Sequence, residues 1–118
     1  MEASLFETYL ARLSKRREQL LTTLRHLDDQ QQEVDDNTDW VDQAAYESRI
    51  ASLDGLRRDF RAELTRIEGA LERIDNFMYG SCAACHDPID PKRLELVPEA
   101  EYCCGCERFR EDLELNAA

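Results

Sequence analysis

Glycine and proline are scarce in this sequence, with four and three copies among 118 residues, and that scarcity argues against a strand-rich fold punctuated by tight turns. Charged residues fill 35% of the chain instead, a composition suited to long solvated helices. Long apolar runs are missing too, since no stretch approaches the roughly 20 consecutive apolar residues of a membrane span. The opening MEASLFETYLARLSKRRE lacks a basic start followed by the apolar run of about 7–15 residues that marks a secretion signal. These absences predict a cytoplasmic protein with no membrane association. Positive charge is in deficit as well, leaving a formal net charge of -11. That balance argues against tight non-specific binding to nucleic acid or anionic lipid, where Lys and Arg must neutralise phosphates. A basic protein surface is the expected partner. The length suits one compact unit, or one unit with an extension.

What is present is heptad spacing. Phe6, Leu10, Leu13, Leu20, Leu24, Leu27 and Val34 recur in alternating steps of three and four, with Arg17 and Gln31 in the skipped slots. A second series, Tyr46, Ile50, Leu53, Phe60, Leu64, Ile67, Leu71, Ile74 and Met78, keeps the same spacing, with Arg57 as its polar interruption. Neither stripe can be buried by its own helix. The break between them, Asp35-Asp36-Asn37-Thr38-Asp39, is short and rich in capping residues, so the helices are expected to fold back as an antiparallel hairpin. At 1.5 Å per residue, arms of about 30 residues give a rod of about 45 Å. Gly55 and Gly69 inside the second arm each cost about 1 kcal/mol relative to Ala, which a close crossing or a bend would explain.

After Tyr79-Gly80 the heptads stop, and the Cys-rich stretch to Cys106 has too few large apolar residues to hold a fold unaided. Five cysteines in a reducing compartment point to metal or redox chemistry rather than disulfides. Cys82, Cys85, Cys103 and Cys106 form two Cys-x-x-Cys knuckles separated by the loop 86–102, the pattern of a structural Zn2+ site with four thiolates. Gly80 and Gly105 sit where such knuckles turn. Metal binding would double as folding energy here. Cys104 is left over, a spare thiol or a redox-sensitive neighbour of the site. Cys82-Ala-Ala-Cys85-His86 also matches a c-type haem attachment pattern. Haem attachment needs export, however, and it would leave Cys103 and Cys106 without a role. His86 is a weaker candidate as a fifth ligand. A thioredoxin-like pair would need a β-α-β setting that this chain lacks. From Glu107 to Ala118 the chain reads as a short helix closing back on the finger or on the hairpin base.

No Lys or Arg falls between Arg25 and Arg49, whereas Asp28, Asp29, Glu33, Asp35, Asp36, Asp39, Asp42 and Glu47 all do. Asp39 can cap the second helix and Asp42 can sit in its first turn, where the helix dipole favours both. Capping uses one acid, and it leaves Trp40 and Val41 exposed without a reason. A recognition tip accounts for the whole segment.

With both motifs in place, the sequence resembles the DksA/TraR family of bacterial transcription factors over nearly its whole length. The finger residues that carry the likeness are Tyr79-Gly80, Cys82-x-x-Cys85, Ile89, Arg93-Leu94, Pro98, Ala100 and Cys103-x-x-Cys106. At the tip, Asp39-Trp40-Val41-Asp42-Gln43-Ala44 matches the family's Asp-x-x-Asp-x-Ala signature at the family's distance from Cys82. The resemblance implies a mainly α fold: a coiled-coil hairpin over 1–78 with its acidic tip at about 35–44, then a four-Cys zinc finger and a short C-terminal helix over 79–118. It further implies entry into the secondary channel of RNA polymerase, with Asp39, Asp42 and Ala44 near the active centre and no contact with DNA sequence. Family members respond to the alarmone ppGpp partly through basic residues, and the matching positions here are Arg66, Val97 and Glu107. Two of the three have lost the cation that a polyphosphate needs, so the ppGpp response at that site is expected to be weak or absent. The N-terminus is shorter than the family pattern, and some packing around the finger is expected to be missing.

The competing reading is a zinc-finger coiled-coil adaptor that holds another basic protein. An enzyme is the least favoured, because four thiolates leave no open zinc position for water and no set of nucleophile, base and orienting group stands out.

Overall fold

The computed structural model describes residues 3–36 and 42–117. Four helices account for most of them: α1 (Ala3–Asp36), α2 (Gln43–Asp75), α3 (Pro91–Leu96) and α4 (Cys104–Ala117). No strand forms among the described residues, only an isolated antiparallel bridge between Ser81 and Pro88. The chain divides into two compact units, one of Arg16–Thr65 and one of the chain up to Lys15 and from Arg66 onward.

The Arg16–Thr65 unit is an antiparallel helix pair held by a heptad seam. Leu20, Leu27 and Val34, seven residues apart, are buried on α1, and Leu53 is buried on α2. Leu24, Tyr46, Ile50 and Phe60 pack against the Leu27, Val34 and Leu53 cluster. Cross-helix contacts fix the register, because pairing numbers rise on one helix as they fall on the other. Tyr46 donates to Asp35 Oδ1 at 3.0 Å, and Arg16 forms a two-pronged pair with Glu63 at 3.0 and 2.8 Å. The polar interruptions meet: Arg57 donates to Gln31 Oε1 at 3.4 Å and lies beside Asp28 (3.3 Å) and Asp54 (3.1 Å). The Arg57 side chain is only 14% exposed, and its Nε lacks hydrogen-bond geometry to any acceptor. Gly55 has open space around it, so no close helix crossing explains that glycine.

Asp42 begins α2. Its carbonyl accepts from the Tyr46 N–H at 2.9 Å, and its Oδ1 accepts from the Ala44 N–H at 3.4 Å. Asp42, expected in the first turn, thus stands directly before α2, which starts at Gln43, where its side chain reaches one of the first free N–H groups. Asp39, Trp40 and Val41 lie outside the described residues.

In the second unit the buried set is Tyr9, Leu13, Ile67, Ala70, Tyr79, Cys82, Ile89, Leu94 and Ala100. Tyr9 replaces the expected Leu10, which is 40% exposed. The reason is aromatic packing: the Tyr79 ring lies 5.7 Å from Tyr9 and 6.0 Å from Phe6, which draws Tyr9 into the core while Leu13 keeps its place on the seam. Burial pushes the Tyr79 hydroxyl's pKa well above that of ordinary tyrosine. That hydroxyl donates to Pro98 O at 2.8 Å.

α2 ends sooner than the heptads predict. Asp75 is its last residue, and Met78, placed on the seam by spacing alone, is 57% exposed. The Met78 N–H bonds Arg73 O at 2.8 Å and the Phe77 N–H bonds Ile74 O at 3.2 Å, the paired bonds of a Schellman ending. This ending places Phe77 at φ 59°, a left-handed conformation costing about 1–2 kcal/mol for a residue with a side chain.

The candidate metal centre

Gly80, at φ 87°, makes the bend that starts the finger, a conformation glycine adopts without strain. Its carbonyl accepts from the Ile89 N–H at 2.7 Å, and the Cys82 N–H bonds Asp87 O at 2.8 Å, closing the first knuckle into a tight loop. Inside that loop the His86 N–H returns to Cys82 O at 3.0 Å with φ 65°. The second knuckle is built differently. α4 begins at Cys104, so Cys103 caps the helix through the bond from the Glu107 N–H at 2.9 Å, and Cys106 falls in the first turn. Gly105 is thus helical and has open space around it; no turn requires a glycine there.

Between the knuckles the backbone is positioned mostly by side chains bonding main-chain carbonyls. Asp90 caps α3 by accepting from the Lys92 N–H at 2.9 Å, with Pro91 in the first helical position. Arg93 donates to Tyr102 O at 3.0 Å, Arg73 to Glu99 O at 3.3 Å and Ala100 O at 3.4 Å, and Arg12 to Glu95 O at 3.0 Å. The Arg73 guanidinium lies 3.3 Å from where a Cβ would stand on Gly69, so that glycine leaves room for its path. Heptad spacing gave no sign of these three arginines.

The outcome is a cluster of four sulfurs. Those of Cys82, Cys85, Cys103 and Cys106 all lie within 4.8 Å of one another, and Cys85 and Cys103 are 3.8 Å apart. Tetrahedral bonds of about 2.3 Å to one zinc ion separate sulfurs by about 3.8 Å, so the donor set fits a single Zn2+ in both number and size. Every cysteine is a free thiol. Cys82 is buried at the centre, and the other three are more accessible.

The electrostatics ask for a cation. Burial pushes the Cys82 thiol up, but hydrogen bonds from the backbone of Cys85, Cys103 and Ala84 outweigh it and bring the pKa down to about 6. Cys106, facing the sulfurs of Cys103, Cys82 and Cys85, is pushed up to about 12. A hydrogen bond from the Asp87 backbone favours the Cys85 thiolate, yet the Cys82 sulfur and burial leave that thiol raised as well. One negative sulfur forms easily and the next ones do not, unless a divalent ion shares their charge.

His86 is exposed and is not among the four clustered ligands, and Cys104 is exposed on the first turn of α4. The C-terminal helix does not close back through its apolar residues: Phe109, Leu113 and Leu115 are 64%, 53% and 76% exposed. What anchors α4 laterally is Arg110, stacked on the Tyr102 ring at 4.3 Å. Asp42 and Ala44 are exposed at the start of α2. No helix among the described residues is long and apolar enough to cross a membrane.

Comparison with known proteins gives a consistent set. Residues 77–112 match the prokaryotic dksA/traR C4-type zinc finger. The chain is 32% identical over 102 residues to the RNA polymerase-binding transcription factor DksA of Haemophilus influenzae, covering 86% of this chain and 68% of that protein. It is equally identical over 103 residues to the protein of the same name from Escherichia coli K12, covering 86% of this chain and 66% of that one. It therefore spans about two thirds of the length of these relatives. Among solved structures, transcription factor DksA2 of Pseudomonas aeruginosa superposes with a TM-score of 0.86, covering 97% of this chain and 88% of that one at 24% identity. At that identity the match speaks for the fold.

Proposed function

Because this chain belongs to the DksA/TraR family of C4-type zinc-finger proteins, we propose that it is a transcription regulator that binds RNA polymerase through the secondary channel and alters promoter complexes without reading DNA sequence. The observation that carries the reading is the pairing, in one chain, of the four-sulfur cluster with two antiparallel helices whose intervening sequence is acidic. In this reading the hairpin over 1–78 reaches the partner, and the segment 79–118 holds it in place. Cys82, Cys85, Cys103 and Cys106 hold one structural Zn2+, and Asp39, Asp42 and Ala44 act at the polymerase active centre. The zinc supplies folding energy and no chemistry, since four thiolates leave no position for water, and the protein is not an enzyme. A chain of net charge -11 suits a basic channel, and its site of action is the cytoplasm.

Response to ppGpp at the Arg66, Val97 and Glu107 position is expected to be weak: Arg66 is exposed and basic, Val97 ends α3, and Glu107 adds an anion to the first turn of α4. In vitro transcription with purified polymerase, with and without ppGpp, tests both statements. Asp42→Asn is the informative variant, because Asn caps a helix as well as Asp does. Stability should stay within about 0.5 kcal/mol of the parent while regulation is lost. Unchanged regulation in that variant would remove the functional role of the tip. If the partner is a different basic protein, polymerase will fail to co-purify at low salt.

A further inference from the structure

Phe77 occupies a position that is unfavourable to it twice over. It follows α2 at φ 59°, at the point of a Schellman ending that glycine ordinarily fills, and its ring is 94% exposed. Met78 beside it is 57% exposed. A lone apolar side chain at a surface is common. Here, however, glycine would remove both penalties and keep both capping hydrogen bonds, since those are made by main-chain atoms. Penalties of this kind persist at recognition sites, where the bound state repays them.

The surroundings indicate what the ring meets. Glu72 and Asp75 are exposed on the last turn of α2, at the negative end of the helix dipole. Arg73, the basic residue of that turn, donates to the carbonyls of Glu99 and Ala100. An aromatic ring therefore projects from a negative collar. The complement is an apolar pocket rimmed by Lys or Arg, and a stiff aromatic side chain is well suited to anchoring in one.

We infer that Phe77, with Met78 beside it, is an anchor that inserts into a basic-rimmed apolar pocket on RNA polymerase, a contact additional to the one assigned to the tip. The inference rests on the polymerase reading above. It predicts an unusual pairing of effects, in which removing the side chain leaves the free protein at least as stable and weakens the complex.

The test uses the full-length, zinc-loaded protein and two variants that tolerate a left-handed backbone, Phe77→Gly and Phe77→Asn. Thermal unfolding of each is measured beside its affinity for purified RNA polymerase. The expected result is an unfolding midpoint equal to or above the parent's, with affinity weakened at least fivefold in both variants. A weakening of less than fivefold overturns the anchor while leaving the polymerase reading in place. Failure of the parent protein to bind polymerase overturns both. If instead the variants lose a self-associated species and keep their polymerase affinity, the ring belongs to a contact between copies and the inference falls.

Discussion

Replacing Arg57 by methionine tests what the polar layer between α1 and α2 contributes. Arg57 is 14% exposed in the seam, while its partners Asp28 and Asp54 are 64% and 60% exposed. Ion pairs with carboxylates that open to water are worth about 0.2–1 kcal/mol each, so about 1 kcal/mol is lost with the guanidinium. Gln31 Oε1 loses a long hydrogen bond of 3.4 Å, a smaller cost because the residue is only half-buried and water can replace the donor. Against this, methionine replaces the arginine stem out to the position of Nε without stranding a poorly bonded nitrogen, and exchanging a buried charge for an apolar group is often neutral or stabilising by about 1–4 kcal/mol. The expected net effect is a gain of about 0–2 kcal/mol. Arg57→Ala, which also removes the packed stem, should cost about 1–2 kcal/mol. Urea unfolding at low and high salt measures both, with the m-value checking that the unfolding process is unchanged. Sedimentation shows whether the more apolar seam admits other partners. Destabilisation of Arg57→Met by more than about 1 kcal/mol would show that the charges, rather than the stem, hold the layer together, and would refute the reasoning.

The finger and the glycines give further expectations. Zinc loading should fall as the medium is acidified: the depressed Cys82 thiol contributes stability above the ordinary thiol range that is lost as pH drops through about 6, and the raised Cys106 proton must leave when metal binds. Chelator competition across pH 5–8, with proton release followed in weak buffer, checks this, and a pH-independent affinity would contradict it. Gly55→Ala should stabilise by about 0.5–1 kcal/mol in thermal unfolding, whereas Gly69→Ala should gain nothing because its Cβ meets the Arg73 guanidinium. His86→Gly should stabilise the zinc-bound finger by about 1 kcal/mol by relieving its left-handed backbone. Tyr79→Phe should cost about 1 kcal/mol, since Pro98 O loses its buried donor.

The features that could be read from the sequence are those written as spacing. Leu13, Leu20, Leu27 and Val34 announce the α1 seam by their sevenfold interval, and two Cys-x-x-Cys pairs announce the metal centre because few other chemistries use that pattern. Features set by tertiary contact were not readable in the same way. Tyr9 and Leu10 are adjacent and both apolar, so only the Tyr79 ring decides which one turns inward. The early end of α2 is a main-chain event that apolar periodicity at Met78 hides. Gly105 looked like a turn residue because knuckles often need one, yet this knuckle is the first turn of a helix. The carbonyl contacts of Arg12, Arg73 and Arg93 have no signature at all, since a solvated arginine and an anchoring one read alike.

Those contacts bear on how this protein can diverge. Pro98, Glu99, Ala100 and Tyr102 are gripped by their peptide oxygens, a group that nearly every residue type supplies unchanged. Exposed positions of that stretch can therefore exchange side chains without loosening its attachment. A fixed course with interchangeable decoration lets one scaffold acquire new surface preferences while its architecture stays the same.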